Sequence, residues 1–218
     1  DVSRILRLAN NENIPVVPYG GGSGLMGGAI SITAGIVLDL KRMQNIIEID
    51  SEAKTVRVEA GMVLESLAGR LEQNELMLGH DPWTLPVATV GGTISTNSLG
   101  YRGCKYGSMG DQVLGLKVVL PSGEILCTRP VPKSSTGIDL KRIFIGGEGC
   151  FGVVTEATLR VFPTPVKQSL RGYRFGSFEA GFWAVQEIIS MDLRPILLDF
   201  GDDPEKTGGG ADLYLGFE

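Results

Sequence analysis

Residues 18–28 have the sequence PYGGGSGLMGG, in which six of eleven residues are glycine. The apolar run that leads into it, residues 14–19 (IPVVPY), predicts a buried strand that ends in a loop. Successive glycines lack Cβ atoms, so their backbone N–H groups can face one anion and let it approach the chain closely. A tight connection between strands is the alternative, but such a connection needs only one or two glycines. The stretch therefore favours an anion-binding loop.

The same stretch contains the pattern GxGxxG at residues 22–27, which is typical of dinucleotide-binding folds. That fingerprint requires a helix that begins in the motif and an acidic residue about 20 positions later. Asp39 has acceptable spacing, but residues 29–34 (AISITA) are short and β-branched and do not predict a helix. The next lysine is Lys41, which excludes a P-loop. We therefore expect backbone amides alone to bind the anion.

Two further glycine-rich segments follow, at residues 86–100 (PVATVGGTISTNSLG) and 146–154 (GGEGCFGVV). The first combines glycine with small hydroxyl and amide side chains, which suit a crowded ligand site. The second places one carboxylate, Glu148, among four glycines and leads into an apolar strand. Three such segments, separated by strand and helix patterns, indicate one long ligand that lies across several loops.

Around these segments the sequence predicts a mixed α and β chain. Helices are expected near residues 2–8, at 62–74, briefly after 91–92, and at 178–190. Strands are expected at residues 14–19, 35–40, 55–60, 113–120, 124–128, 142–145, 152–162, 170–175, 196–200 and 211–217, with an acidic turn that contains three glycines at 208–210. Because Pro163 and Pro165 mark a change of pattern, we predict one domain over residues 1–164 and the start of a second over 165–218.

The composition places limits on function. Of 218 residues, 43% are hydrophobic and 21% are charged, which is typical of a globular protein. Twenty basic against 25 acidic residues give a net charge of -5, which argues against nucleic acid as a partner. Cys104, Cys127 and Cys150 lie far apart without a CxxC or Cys/His cluster, so we expect no disulfide, no metal site and a cytoplasmic setting. No apolar run reaches roughly 18 residues, so we expect no transmembrane segment, and we also expect no export leader. The sequence lacks an initiator Met, which suggests an excerpt of a longer chain.

Three segments together resemble the PCMH-type FAD-binding domain of the vanillyl-alcohol oxidase / p-cresol methylhydroxylase superfamily. They are residues 18–28 (PYGGGSGLMGG), residues 79–126 (GHDPWTLPVATVGGTISTNSLGYRG and onward) and residues 134–163 (SSTGIDLKRIFIGGEGCFGVV and onward). Within it, the chain is similar to the branch of D-lactate and glycolate dehydrogenases and alkyldihydroxyacetonephosphate synthase. The resemblance covers residues 2–164. It implies an α+β fold in which two α+β subdomains bind FAD, followed by the start of an α+β cap domain that helps form the substrate site.

The resemblance also implies roles for individual residues. Those expected to hold the pyrophosphate through the backbone are Pro18, Tyr19, Gly20, Gly21, Gly22, Ser23, Gly24 and Leu25. Those expected along the ribityl chain and flavin are Trp83, Pro86, Thr89, Gly91, Gly92, Thr96, Asn97, Ser98 and Gly100. Those expected at the adenosine or the ring edge are Glu148, Gly149, Gly152, Val153 and Val154.

One departure from the family pattern and one agreement with it refine this interpretation. Members that attach FAD covalently through the first loop carry a histidine there, whereas this chain has Ser23, so we expect non-covalent FAD. The only histidine, His80, stands in GHDP as in the synthase branch, and a structural hydrogen bond is favoured over a role as catalytic base. The residues that activate substrate in this family lie mostly in or beyond the cap.

Three functions follow as hypotheses. The first is an FAD-dependent oxidoreductase that takes a hydride from a small alcohol or a D-2-hydroxy acid such as lactate or glycolate. The second is a transferase similar to alkyldihydroxyacetonephosphate synthase, although Asp199 stands about where that branch would offer an arginine. The third is a non-catalytic flavin-binding module. The expected partners are a small-molecule substrate, an electron acceptor that the sequence leaves unidentified and, as an option, a second copy of the chain.

Overall fold

The computed structural model describes residues 1–202 and 210–218. Its helices are α1 (Val2–Asn11), α2 (Leu64–Glu72), α3 (Val90–Ser95), α4 (Gly103–Tyr106), α5 (Met109–Gln112), α6 (Lys141–Phe144) and α7 (Phe178–Ser190). Its strands are β1 (Val16–Tyr19), β2 (Ile36–Asp39), β3 (Ile46–Asp50), β4 (Thr55–Glu59), β5 (Leu76–Met77), β6 (Val113–Val119), β7 (Ile125–Cys127), β8 (Val153–Arg160), β9 (Phe162–Pro163), β10 (Ser169–Phe175), β11 (Leu197–Asp202) and β12 (Ala211–Phe217).

A five-stranded antiparallel sheet forms the centre of the fold, in the order β3-β4-β8-β6-β7. Alternate residues of β4, Val56 and Val58, are fully buried, which is the period of two expected for a strand with one face in the core. Helix α2 covers that core with Leu64, Leu67 and Leu71, three residues on one helical face. The sheet and this helix hold the loops described below in fixed positions.

Strands β1 and β2 form a separate parallel pair, with Val16 opposite Ile36 and Tyr19 opposite Asp39. The connection between them, residues 20–35, is described throughout and consists of turns and bends without a helix. A dinucleotide-binding βαβ unit would place a helix there. The glycine pattern at residues 22–27 is therefore part of a long loop.

A three-stranded antiparallel sheet, in the order β10-β12-β11, carries helix α7. The helix packs closely at Gly181, where an added Cβ would lie 2.5 Å from the Phe200 ring. This unit contacts the rest of the chain through Glu218, whose carboxylate accepts hydrogen bonds from the Lys105 ammonium (2.7 Å) and the Tyr106 hydroxyl. The change of sheet between β9 and β10 is compatible with a boundary at residues 164 and 165, which stays a prediction.

One predicted element differs from the structure, and one strand was not predicted. Residues 142–145, predicted as a strand, belong mostly to the four-residue helix α6, which ends before Gly146 at φ +72°. A short apolar run does not distinguish a strand from a helical turn. Strand β3 was not predicted, and the predicted turn at 208–210 lies outside the described residues except for Gly210.

Within residues 1–202 and 210–218, no helix is long and apolar enough to cross a bilayer. The same part of the chain contains no group of three potential metal-binding side chains. Cys104, Cys127 and Cys150 are all free thiols at the surface.

Candidate functional site

The three glycine-rich segments meet at one cleft of about 340 Å³, within the range of small-molecule sites. Its walls come from the loop after β1, from helix α3 with the residues before and after it, and from the segment that enters β8. The predicted site residues that line it are Pro18, Tyr19, Gly20, Gly21, Gly22, Ser23, Gly24, Leu25, Thr89, Gly91, Gly92, Thr96, Ser98, Glu148, Gly149, Gly152, Val153 and Val154. Residues as far apart in sequence as Pro18 and Val154 thus form one concave surface.

The loop after β1 presents unpaired backbone amides. The Tyr19 carbonyl still accepts a bond from the Leu40 amide (2.9 Å), as the last bond of the parallel pair. Beyond it, the amides of residues 20–26 donate to no acceptor within the described part of the chain. Because backbone N–H groups require a partner, these amides must bind water or a ligand. Such a run of donors suits an anion.

Close packing explains why the loop is made of glycine at two positions. A Cβ on Gly21 would collide with the carbonyl oxygen of Val87, and a Cβ on Gly22, at φ +64°, would collide with the Tyr19 hydroxyl. At these two positions neighbouring protein atoms, rather than the approach of an anion, exclude a side chain. At Gly24, by contrast, no atom lies within 4 Å of an added Cβ.

Helix α3 forms the second wall and begins at Thr89, whose hydroxyl accepts the Gly92 amide (3.3 Å). The Val90 amide donates to the Met62 carbonyl (2.9 Å) and the Gly91 amide to the Ala60 carbonyl (2.7 Å). The first-turn amides therefore already have protein partners, which leaves anion binding to the loop after β1. Helix α3 and the residues after it line the cleft with small hydroxyl side chains.

The structure adds lining residues beyond the individual positions given above, although Thr84 and Ala88 fall within residues 83–89, which the resemblance places along the ribityl chain and flavin. The additional lining residues are Met26, Gly28, Ala29, Leu40, Ala60, Thr84, Ala88, Thr93 and Ser95. Ser95 and Thr84 lie within or beside the polar segments already singled out, so their residue types could have indicated them. Leu40 and Ala60 follow strands β2 and β4, and nothing in their local sequence indicates a ligand.

Four predicted site residues do not line the cleft: Trp83, Pro86, Asn97 and Gly100. Trp83 is 81% exposed, and Pro86 also lies at the surface. The Asn97 carboxamide oxygen accepts the Gly110 amide (2.9 Å), which fixes the start of α5. A Cβ on Gly100 would lie 2.8 Å from the Asp81 backbone, so this glycine permits close chain packing.

Glu148 connects the third segment to the other two. Its backbone has φ +46°, an uncommon value for a residue other than glycine, and its amide donates to the Ser95 carbonyl (2.9 Å). Its carboxylate lies close to Gly28, where an added Cβ would collide with Oε2. Strained backbone of this kind is concentrated at functional sites. The arrangement places one carboxylate at the rim of the cleft.

His80 lies behind the cleft wall and is only 1% exposed. Its Nε2 is 2.8 Å from the Ser98 hydroxyl oxygen, whereas its Nδ1 has no hydrogen-bond partner among the described residues. Burial lowers the pKa of His80 to about 4, so the ring is neutral at pH 7. Burial raises the pKa of the adjacent Asp81, and the nearby Arg102 partly counteracts this shift.

The chain is similar in sequence to a known family and to several known proteins. Residues 1–129 match the family described as FAD binding domain. The glycolate oxidase subunit GlcD of Bacillus subtilis (strain 168) is 37% identical over 205 residues, covering 94% of this chain and 44% of that protein. Alkyldihydroxyacetonephosphate synthase of Dictyostelium discoideum is 31% identical over 210 residues, covering 95% of this chain and 34% of that protein.

A solved structure of an alkyldihydroxyacetonephosphate synthase is also similar, with a TM-score of 0.89 and 26% identity. The similarity covers 99% of this chain and 44% of that one. The chain thus spans less than half the length of these relatives. Its mixed α and β architecture agrees with the predicted α+β class.

Proposed function

Because the chain belongs to the FAD binding domain family, as its sequence predicted, we propose that FAD binds non-covalently in the cleft, within a larger FAD-dependent oxidoreductase. We infer that the substrate is a small alcohol or a D-2-hydroxy acid. The run of unpaired amides at residues 20–26, beside a wall of hydroxyl side chains, is the observation that carries this proposal.

The charge of the cleft supports a cofactor whose pyrophosphate is bound by the backbone. Among the described residues that line it there is no lysine, arginine or histidine. Negative charge on a bound ligand must therefore be met by the N–H dipoles of the loop after β1. On this proposal, the hydroxyls of Ser95, Thr96 and Ser98 face the ribityl chain and flavin edge, and Glu148 accepts from ribose hydroxyls.

When bound, FAD supplies the capacity to accept a hydride from the substrate carbon. The chain itself contributes orientation, hydrogen bonds and exclusion of water. His80 is held neutral behind the wall and does not line the cleft, so it does not reach substrate as a base. On this proposal, the base that takes the hydroxyl proton lies outside the described cleft.

Gly24 offers a test that separates ligand binding from folding. Gly24 lines the cleft, and a methyl group there contacts no protein atom, so Gly24→Ala should fold normally. The methyl group would take space that the proposed pyrophosphate needs, and FAD binding should weaken by about tenfold. Gly69→Ala is the matched control, because its Cβ also meets nothing within 4 Å and it lies in helix α2. FAD content after reconstitution is measured by absorbance, and unfolding by urea. Wild-type FAD affinity in Gly24→Ala would refute this placement.

The transferase remains a second candidate, supported by the structural similarity to alkyldihydroxyacetonephosphate synthase. Asp199 in β11, where that branch would offer an arginine, argues against it. Bleaching of the flavin in the full-length protein by D-lactate or glycolate under anaerobic conditions supports the oxidoreductase. Exchange of a fatty alcohol onto acyl-dihydroxyacetone phosphate without bleaching supports the transferase, and inactivity in both assays supports a non-catalytic flavin-binding module.

We also infer a cytoplasmic setting, which is supported by three exposed free cysteines. The electron acceptor and a homodimeric state are left to experiment. Acceptor dyes of different potential and sedimentation of the full-length protein address these two points.

A further inference from the structure

We propose that His80 is a positioning residue that makes the Ser98 hydroxyl a hydrogen-bond donor directed into the cleft. The acceptor is then a carbonyl oxygen or an unprotonated ring nitrogen of the bound ligand, as found along a flavin edge. This inference rests on the proposed binding of FAD.

Ser98 is fixed at the boundary between the cleft and the protein interior. It lines the cleft, and its amide donates to the Thr93 carbonyl (3.0 Å), one turn back along α3. Its hydroxyl oxygen lies 2.8 Å from His80 Nε2 and 3.5 Å from the Thr93 carbonyl oxygen. The second distance is at the limit of a hydrogen bond. His80 is therefore the one strong protein partner of this hydroxyl among the described residues.

The neighbours of His80 hold its backbone in place. On one side, an added Cβ on Gly79 would lie 2.7 Å from the Phe162 ring and 2.8 Å from Tyr106. On the other side, the Asp81 carboxylate accepts the Arg102 amide (2.9 Å) and lies 3.3 Å from Arg102 Nε. With both flanking residues fixed and the side chain buried, the ring has one position in which to meet Ser98.

The position of the ring proton follows from the unpaired nitrogen. A neutral imidazole carries a single N–H, on Nδ1 or on Nε2. If Nδ1 held the proton, a buried N–H donor would have no acceptor among residues 1–202 and 210–218, and buried donors without a partner are rare and costly. With the proton on Nε2, only a lone pair on Nδ1 lacks a partner. Nε2–H then donates to Ser98 Oγ, and the Ser98 hydroxyl proton is free to donate to the ligand.

The tautomer can be measured directly because His80 is the only histidine in the chain. In the ¹⁵N-labelled protein at pH 7, we expect a protonated Nε2 and an unprotonated Nδ1. A proton on Nδ1, or a doubly protonated ring, would overturn the proposal. This measurement requires no substitution, so it does not depend on the folding of a variant.

FAD affinity and the visible spectrum provide the second test. Ser98→Ala and His80→Phe should each weaken FAD binding about fivefold to tenfold, the effect of one hydrogen bond, and should shift the flavin absorption bands. The double variant should be no weaker than Ser98→Ala alone. His80→Gln, which keeps an N–H donor, should recover part of the effect, and Ser134→Ala, at a residue that does not line the cleft, is the control.

Failure of this inference can be distinguished from failure of the proposed function. A wild-type chain that takes up no FAD would refute both. A wild-type chain that binds FAD, with unchanged affinity and spectrum in Ser98→Ala, would refute only the role of Ser98. We expect Ser98→Ala and the double variant to lose FAD affinity equally, and His80→Gln to recover part of it. A histidine with a purely structural role would not produce these results.

Discussion

The free energy of unfolding is expected to decrease as the pH is lowered, because the His80 side chain is buried in the folded chain. The pKa of His80 is about 4 in the folded chain against an ordinary value of 6.5 when it is unfolded. The unfolded state therefore binds a proton at a higher pH, so stability is complete above pH 6.5 and declines as pH falls toward 4. The difference corresponds to about 3 kcal/mol in full, of which about 2 kcal/mol is lost between pH 7 and pH 5.

Urea unfolding of the wild type and His80→Gln at several pH values isolates this effect. Carboxylates that titrate near pH 5 are common to both proteins and cancel in the difference, and no other histidine is present. We expect the stability of the wild type relative to the variant to decrease by about 2 kcal/mol from pH 7 to pH 5. A difference that stays constant over this range would show that the folded chain protonates His80 normally and would refute the reasoning.

Three further predictions concern stability and are measured by chemical denaturation. Asp139→Asn should lower the free energy of unfolding by about 2–3 kcal/mol, because it leaves the buried Lys141 ammonium without its carboxylate partner at 2.8 Å. Lys141→Met, which removes the charge itself, should lower it by less, and the reverse order would contradict this reasoning. Gly69→Ala should stabilise the chain by about 0.5–1 kcal/mol, because its Cβ meets open space in a helix. Gly181→Ala should destabilise it by about 1–3 kcal/mol, because its Cβ would collide with aromatic rings. Effects of the same sign would contradict the packing described for these two glycines. Thr89→Val should cost about 1 kcal/mol through loss of the helix cap, and an unchanged midpoint would exclude that role.

The sequence predicted best where one physical requirement determined the residue pattern. The alternation in β4 and the apolar face of α2 follow from burial on one side, and both elements occur close to their predicted bounds. The glycine loop was recognised because six glycines in eleven residues exceed the needs of a turn. The family confirms FAD as the cofactor that the resemblance of the three motifs implied, while the contacts of individual residues with FAD stay a proposal.

The sequence predicted poorly where tertiary contacts decide the conformation. Strand β3 has little buried surface and an irregular register with β4 near Ile46, so its residues show no clean alternation. Asn97 has the polarity expected of a ligand-binding residue, yet its side chain is used to hold Gly110. Ala60 lines the cleft beside the Gly91 backbone, where an added Cβ would lie 2.8 Å from the Ala60 methyl group. None of these outcomes is encoded in the neighbouring residues.

Strand β8 lies in the middle of the central sheet, between β4 and β6, although it is the last of the five in the chain. During synthesis, the nascent polypeptide therefore carries two unsatisfied strand edges until residue 160 has left the ribosome. The same strand begins with Val153 and Val154, which close one side of the cleft. On the proposed placement of FAD, the complete site therefore forms only when the sheet is complete. Chaperone protection of β4 and β6 in the interval would favour productive assembly over aggregation.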